Sequence, residues 1–177
     1  MNNEIIDFVI TWVDGSDPEW QWEKKKYVTA EQEEDDGVAG KIRFADNGLL
    51  RYWFRGVEKF APWINRVFFV TFGHLPNWLN INHPRLTIVR HDEFIPAECL
   101  PTFNSSAIAL NLHRIPGLAE QFVFFNDDMY LTAPVQPDIF FRNGYPRDMA
   151  VMDLIPDVDQ AMFWHCYLNN IALLNSQ

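Results

Sequence analysis

Two short apolar runs, each closed by an acidic turn, limit what this chain can fold into. Residues 5–13 are rich in β-branched side chains and stop at Asp14-Gly15-Ser16-Asp17-Pro18. Residues 121–125, Gln-Phe-Val-Phe-Phe, stop at Asn126-Asp127-Asp128. Runs this short, dense in aromatic and β-branched residues, read as buried strands. Between them the periodicity changes. Leu50, Phe54, Val57 and Ala61 fall at i, i+4, i+7 and i+11, one stripe of a helix over 47–61 that Pro62 ends. Further strands are expected at 66–72, 86–90 and 149–152. Further helices are expected at 18–27, 105–113 and 160–174, with a short helical turn at 76–80. Asp17 caps the first of these with Pro18 at its first position, and Asn104 or Ser105 caps the second. Strands alternating with helices mean an α/β fold, a mostly parallel sheet flanked by helices. Such sheets bind ligands outside the carboxyl ends of their strands, so the two acidic turns mark the expected site.

A length of 177 residues suits one domain with a real core, and 48% hydrophobic against 21% charged residues excludes a disordered chain. The 14 Lys and Arg against 24 Asp and Glu give a net charge of −10. That excludes a generic nucleic-acid binder, which needs a basic footprint. Any anionic ligand must meet a locally basic pocket or a bound metal. Five of the acidic residues (Glu31, Glu33, Glu34, Asp35, Asp36) crowd one stretch, so 29–40 reads as an exposed loop. Cys99 and Cys166 cannot form a disulfide framework; they read as small buried hydrophobes in a reducing compartment. No signal-peptide pattern is visible, and apolar runs fall short of the roughly 20 residues of a membrane span, so a cytoplasmic protein is expected. The helix at 160–174 is apolar on nearly every face (Phe163, Trp164, Tyr167, Leu168, Ile171, Leu174). It calls for a covering layer, from further C-terminal chain or from a second copy in a homo-oligomer.

The residues that can carry chemistry lie at the strand ends. Asp127 and Asp128 are adjacent carboxylates, which suit a hard divalent cation as well as an ordinary polar turn. At the other turn, Gly15 admits close approach to the backbone, Asp14 can accept from a ribose or base, and Trp12 can stack. The alternative is a tight strand-to-helix turn in which Asp17 is only a cap. Arg51 and Arg55, one helical turn apart, form either a phosphate clamp or a solvated face balanced by Glu58. His113 follows the helix at 105–113, and strand direction sets it far from the acidic pair unless the helix end folds back. His74, His83, His91 and His165 show no metal-ligand spacing. No nucleophile-elbow serine, P-loop or dinucleotide glycine fingerprint is present.

Longer blocks carry a resemblance. Ile6-Asp7-Phe8-Val9-Ile10-Thr11-Trp12-Val13-Asp14-Gly15-Ser16-Asp17-Pro18 resembles the first conserved region of the Stealth family of sugar-1-phosphate transferases. Asp46-Asn47, Leu50-Arg51-Tyr52, Arg55, Glu58-Lys59-Phe60-Ala61-Pro62-Trp63, Val70-Thr71 and Pro76-Asn77-Trp78-Leu79 resemble its second region. Pro101-Thr102-Phe103-Asn104-Ser105, His113-Arg114-Ile115, Gly117-Leu118 and Phe125-Asn126-Asp127-Asp128 resemble a third. The resemblance implies a nucleotide-sugar-transferase-like fold of the GT-A or Rossmann type. It implies transfer of a sugar-1-phosphate, N-acetylhexosamine-1-phosphate, from a UDP-sugar to a glycan hydroxyl in capsular or cell-surface polysaccharide synthesis, with release of UMP. Mg²⁺ or Mn²⁺ would sit at Asp127 and Asp128. Thr11, Trp12, Asp14, Gly15 and Arg55 would contact the donor, and Asp46, Arg51 and His113 would serve catalysis. The acceptor would be a glycan, free or lipid-linked, met at the inner face of the membrane. The alternatives are a metal-dependent glycosyltransferase that releases UDP and an inactive binding or assembly domain. The chain departs from the family where Leu49 and Ala109 stand in place of Glu, and where a fourth region would follow.

Overall fold

The computed structural model describes residues 5–28, 44–148 and 162–176. By contacts the chain divides into two compact units, Met1–Arg147 and Asp148–Gln177. The first unit holds a four-stranded sheet of order β3-β2-β1-β4, built from β1 (Ile6–Thr11), β2 (Val67–Thr71), β3 (Leu86–Arg90) and β4 (Gln121–Phe125). Every pairing is parallel, as the alternation of strands and helices requires. Helix α1 (Pro18–Lys24) and helix α2 (Leu50–Phe60) lie between β1 and β2 in the chain, and α3 (Ser105–Asn111) lies between β3 and β4.

Side-chain alternation along the central strand explains the two faces of the sheet. Ile6, Phe8, Ile10 and Trp12 join Leu50, Trp53, Val57, Phe69 and Phe125 in one buried layer under α2. Val9 joins Phe68, Val70, Val89, Ile108 and Leu112 in the other, under α3. The helical stripe is the expected one, widened by Trp53 and Gly56, although α2 begins at Leu50 rather than at residue 47. The segment after β4 closes the first layer. Val135 accepts from Trp63 Nε1 at 2.7 Å, and its N–H donates to the Phe60 carbonyl at 3.0 Å.

At the amino ends of the strands one buried carboxylate joins three segments. Asp7, 1% exposed, accepts at Oδ1 from Asn65 Nδ2 (2.8 Å) and from the Arg66 N–H (3.1 Å). Its Oδ2 accepts from the Ala119 N–H at 2.9 Å. The entries to β2 and β4 are thereby fastened to β1.

Several expectations are corrected. Residues 76–80 form turns, not helix, and the helix at 105–113 ends as a 3₁₀ turn over Leu112–Arg114. Cys99 is exposed rather than buried. A small antiparallel ribbon, β5 (Phe141–Arg142) with β6 (Tyr145–Pro146), was not foreseen. Its turn is Asn143-Gly144, both at positive φ (55° and 83°), the hairpin signal that the sequence carried. The strand expected at 149–152 and the acidic loop at 29–40 lie outside the described residues. The second unit contains α4 (Met162–Asn175), where Tyr167, Leu168, Ile171, Leu173 and Leu174 are exposed, the uncovered apolar surface that the pattern implied.

Replacing Asp7 with Leu keeps the branching at Cγ and leaves three partly buried N–H donors without this acceptor. Urea unfolding should register a loss of about 2 kcal/mol, since an orphaned buried donor costs about 1–3 kcal/mol and water can reach part of this site. A loss under about 1 kcal/mol would mean that the three segments are held by packing alone.

Candidate functional site at the carboxyl ends of the strands

From β1 the chain steps outward through β2 to β3 and then crosses to the opposite side of β1 as β4. The loops leaving β1 and β4 therefore diverge, and parallel sheets bind ligands in the crevice at such a switch point. Both acidic turns are found there. A cleft of about 440 Å³ is lined by Thr11, Trp12 and Val13 on the β1 side and by Asn126, Asp127 and Asp128 on the β4 side. Phe103 and Asn104, which lead into α3, and His91, which follows β3, complete its rim. A second cleft of about 370 Å³ adjoins it, lined by Asp14, Gly15, Ser16, Lys25 and Asp46. Trp20, Lys24 and Phe44 line both clefts.

The acidic groups crowd one another. The Asp127 carboxyl is pushed above the ordinary carboxylate range, first by burial and then by the charges of Asp128 and Asp46. The same three carboxylates, after burial, push the Tyr130 phenol upward, and that hydroxyl donates to the Asp127 carbonyl at 2.8 Å. Asp46, far away in sequence, is thus brought within electrostatic range of the acidic pair, in the adjoining cleft. It is anchored by the Gly48 N–H, which donates to its Oδ1 at 2.8 Å. Asp14 lies below the ordinary range because Ser16 donates to its Oδ1 from both Oγ (2.6 Å) and N–H (2.9 Å).

Other residues at the first turn serve the chain itself. The Asp14 N–H donates to His74 Nε2 at 2.8 Å, which requires a neutral imidazole, and burial lowers the His74 pKa accordingly. Trp12 is only 7% exposed, its ring packed on Phe69 and edge-on to His74. Gly15 is needed because the chain's own backbone comes close. Its N–H donates to the Phe44 carbonyl at 2.8 Å, and a Cβ there would lie 2.2 Å from that oxygen. Asp17 caps α1 through the Trp20 N–H at 2.8 Å.

Arg51, Arg55 and His113 line neither cleft. The Arg51 guanidinium lies over the Trp78 ring, and that of Arg55 over Tyr52. His113 is exposed beyond the end of α3, whose start borders the cleft. A helix rises about 1.5 Å per residue, which carries His113 away from the acidic pair. Lys24, Phe44, His91, Phe103 and Asn104 were not anticipated. For Lys24 a signal existed: it follows Trp20 by four positions, so both project from one face of α1.

Two conserved regions of one family match this sequence: Stealth protein CR1, conserved region 1, at residues 5–31, and Stealth protein CR2, conserved region 2, at residues 43–148. The chain belongs to the Stealth family. The blocks at 101–128, expected to form a third region, fall inside conserved region 2. The capsular polysaccharide phosphotransferase CpsJ of Streptococcus thermophilus is 47% identical over 169 residues, covering 96% of this chain and 70% of that protein. The capsular polysaccharide phosphotransferase WcwK of Streptococcus pneumoniae is 45% identical over 171 residues, covering 96% and 50%. The exopolysaccharide phosphotransferase cps2G of Lactiplantibacillus plantarum is 45% identical over 171 residues, covering 96% and 49%. The chain thus spans about half the length of the last two. Relatives of this kind make it a transferase.

His91 gives the site a pH signature. Burial, then the neighbouring His74, lowers its pKa from 6.5 to about 4, with Asp92 opposing and Arg90 reinforcing. The unfolded chain binds a proton near pH 6.5 that the folded ring refuses until about pH 4, so stability falls as pH drops through that window. His91→Gln should flatten this stretch of the curve of urea midpoint against pH. An unchanged slope would mean that the ring is not held neutral by the fold.

Proposed function

We propose that the chain forms the donor-binding core of a polysaccharide phosphotransferase. It would cleave the pyrophosphate of a UDP-sugar and pass N-acetylhexosamine-1-phosphate to a glycan hydroxyl, leaving UMP. The observation that carries this reading is the placing of Asp127 and Asp128 at the switch point in a cleft walled by aromatic rings, with Asp46 in the cleft that adjoins it. Family membership and relatives named as polysaccharide phosphotransferases support the reaction class.

Asp127 and Asp128 are adjacent carboxylates lining one cleft, and burial and then like charge raise the Asp127 pKa, so the residues would fit Mg²⁺ or Mn²⁺ there. Among the described residues no group of three or more His, Cys, Asp or Glu could hold a metal by itself. Such an ion would keep water and donor phosphate oxygens as further ligands. Bound there, it would offset the charge on those oxygens.

The protein's own residues have separate tasks. Phe72 and Phe103 lie nearly parallel at 6.3 Å between centroids, with Trp20 edge-on to Phe103, which suits a base or sugar ring laid on that wall. Thr11 offers a hydroxyl at the cleft floor. Asp46 is the carboxylate best located to orient the acceptor hydroxyl and take its proton. Arg51 and Arg55 line neither cleft, so this reading gives them no part at the phosphate. No helix among the described residues is long and apolar enough to cross a membrane.

Product analysis tests this reading. The complete protein, given UDP-N-acetylglucosamine, an acceptor glycan and Mg²⁺, should release UMP and form a phosphodiester. Release of UDP would favour glycosyl transfer, and binding without turnover would favour an inactive binding domain. Asp128→Asn should weaken Mg²⁺-dependent UDP binding by about 2 kcal/mol or more, the scale of a lost charged partner. Unchanged binding in both Asp127→Asn and Asp128→Asn would remove the metal assignment.

A further inference from the structure

A neutral histidine borders the aromatic wall, and the fold leaves one of its ring nitrogens to meet a ligand. His91 follows β3 and lines the cleft with Phe72, Phe103, Asp127 and Asp128. Its place is fixed by the backbone. The His91 carbonyl accepts from the Ile95 N–H at 2.9 Å, and the Arg90 N–H donates to the Glu93 carboxylate at 2.7 Å, around a 3₁₀ turn over His91–Glu93. The ring stands edge-on to Phe72 and to Phe94, at 80° and 83°. Phe72 in turn lies nearly parallel to Phe103. The imidazole therefore stands beside the wall on which a planar ring would lie.

The tautomer follows from burial. His91 Nδ1 is buried and has no hydrogen-bond partner among the described residues. A buried N–H without an acceptor is a rarer orphan than a lone pair without a donor, so the single proton of the neutral ring belongs on Nε2. The ring is neutral at pH 7 because burial and the charges of His74 and Arg90 outweigh the opposing charge of Asp92. In this tautomer the imidazole is a hydrogen-bond donor toward the cleft and has no lone pair to offer there.

We propose that His91 selects the nucleobase of the donor, its Nε2–H donating to the 4-carbonyl oxygen of a uracil laid on the wall of Phe72 and Phe103. This rests on the donor-binding reading above and adds to it the choice of base. Uracil and cytosine are nearly the same size, and both stack on aromatic rings. They differ at one edge, where uracil carries an acceptor oxygen and cytosine an amino donor. A donor set against a donor leaves both without a partner, and a site built to hydrogen-bond one ligand rejects its near-isostere in this way. The acidic pair cannot make this choice, since both nucleotides bring the same diphosphate.

The test uses the full chain, calorimetry in Mg²⁺, and three probes: UDP, CDP and inorganic pyrophosphate. The wild-type chain should bind UDP about tenfold more tightly than CDP, the scale of one hydrogen bond made or orphaned. His91→Phe keeps a flat ring and removes the donor. It should bring UDP affinity down to that of CDP and leave pyrophosphate binding unchanged. His91→Gln, whose side-chain N–H can stand in for Nε2–H, should restore most of the preference. Equal wild-type affinities for UDP and CDP overturn the proposal, as does a preference that survives in His91→Phe. An equal loss of pyrophosphate binding also overturns it, since the ring would then act on the phosphates or on the cleft as a whole. Should His91→Phe not fold, the ring ¹⁵N resonances of His91 in the wild-type chain decide. Nε2 should carry the proton, and its resonance should move on titration with UDP and stay still with pyrophosphate. A proton on Nδ1, or no movement with UDP, overturns the proposal. Failure of the wild-type chain to bind any of the three probes would instead overturn the donor-binding reading, and this proposal with it.

Discussion

The buried carboxylate of Asp7 is the constraint from which the rest of the first unit follows. Its two oxygens take three N–H donors, two from the turn before β2 and one from the turn before β4. With both neighbours fastened to β1 at one end, parallel pairing carries the alignment to the other. Ile6 opposite Gln121 leads to Ile10 opposite Phe125. A slip of one residue would turn Phe8 and Ile10 from the α2 layer into the α3 layer, so burial forbids it. The acidic turns after β1 and β4 therefore leave the sheet side by side. A carboxylate at the amino ends of the strands thus decides what meets at their carboxyl ends.

What meets there is an excess of negative charge. Burial, and then the charges of Asp128 and Asp46, raise the proton affinity of Asp127, and Tyr130 reports the same field. Ionised carboxylates held this close cost folding stability unless a cation offsets them, so the arrangement is more economically explained by binding than by architecture. Asp14 behaves differently. Ser16 already satisfies one of its oxygens, and its pKa is lowered. The two acidic turns look alike in sequence and differ in state: one is hydrogen-bonded within itself, the other is burdened by burial and like charge.

That difference marks how far the sequence could be read. The parallel sheet was legible because buried strands and amphipathic helices have distinct periods, and β3 and β4 lie where the pattern placed them. The location of the cleft was legible because strand direction fixes which loops share an edge. The partners of individual side chains were not. The spacing of Arg51 and Arg55 fits a phosphate clamp and a solvated face alike, because it says only that they share a helix face; their guanidinium groups lie over the rings of Trp78 and Tyr52. The Asn143-Gly144 hairpin is a different kind of miss, since its signal is local and was present in the sequence.

Gly15 shows why the remaining site residues escaped notice. A glycine after a strand suggests a ligand lying against the backbone, and the close approach is real. The group that approaches is Phe44, which returns after an intervening segment of chain to lay its carbonyl on the Gly15 N–H and its ring over Lys24. Nothing near residue 15 encodes that return, and near residue 24 only the four-residue spacing from Trp20 hints at the buried lysine. The junction of the clefts exists only because a glycine without a Cβ lets residue 44 dock. The most informative glycine in the chain therefore acts on the site at one remove: it positions the aromatic ring that holds the charge.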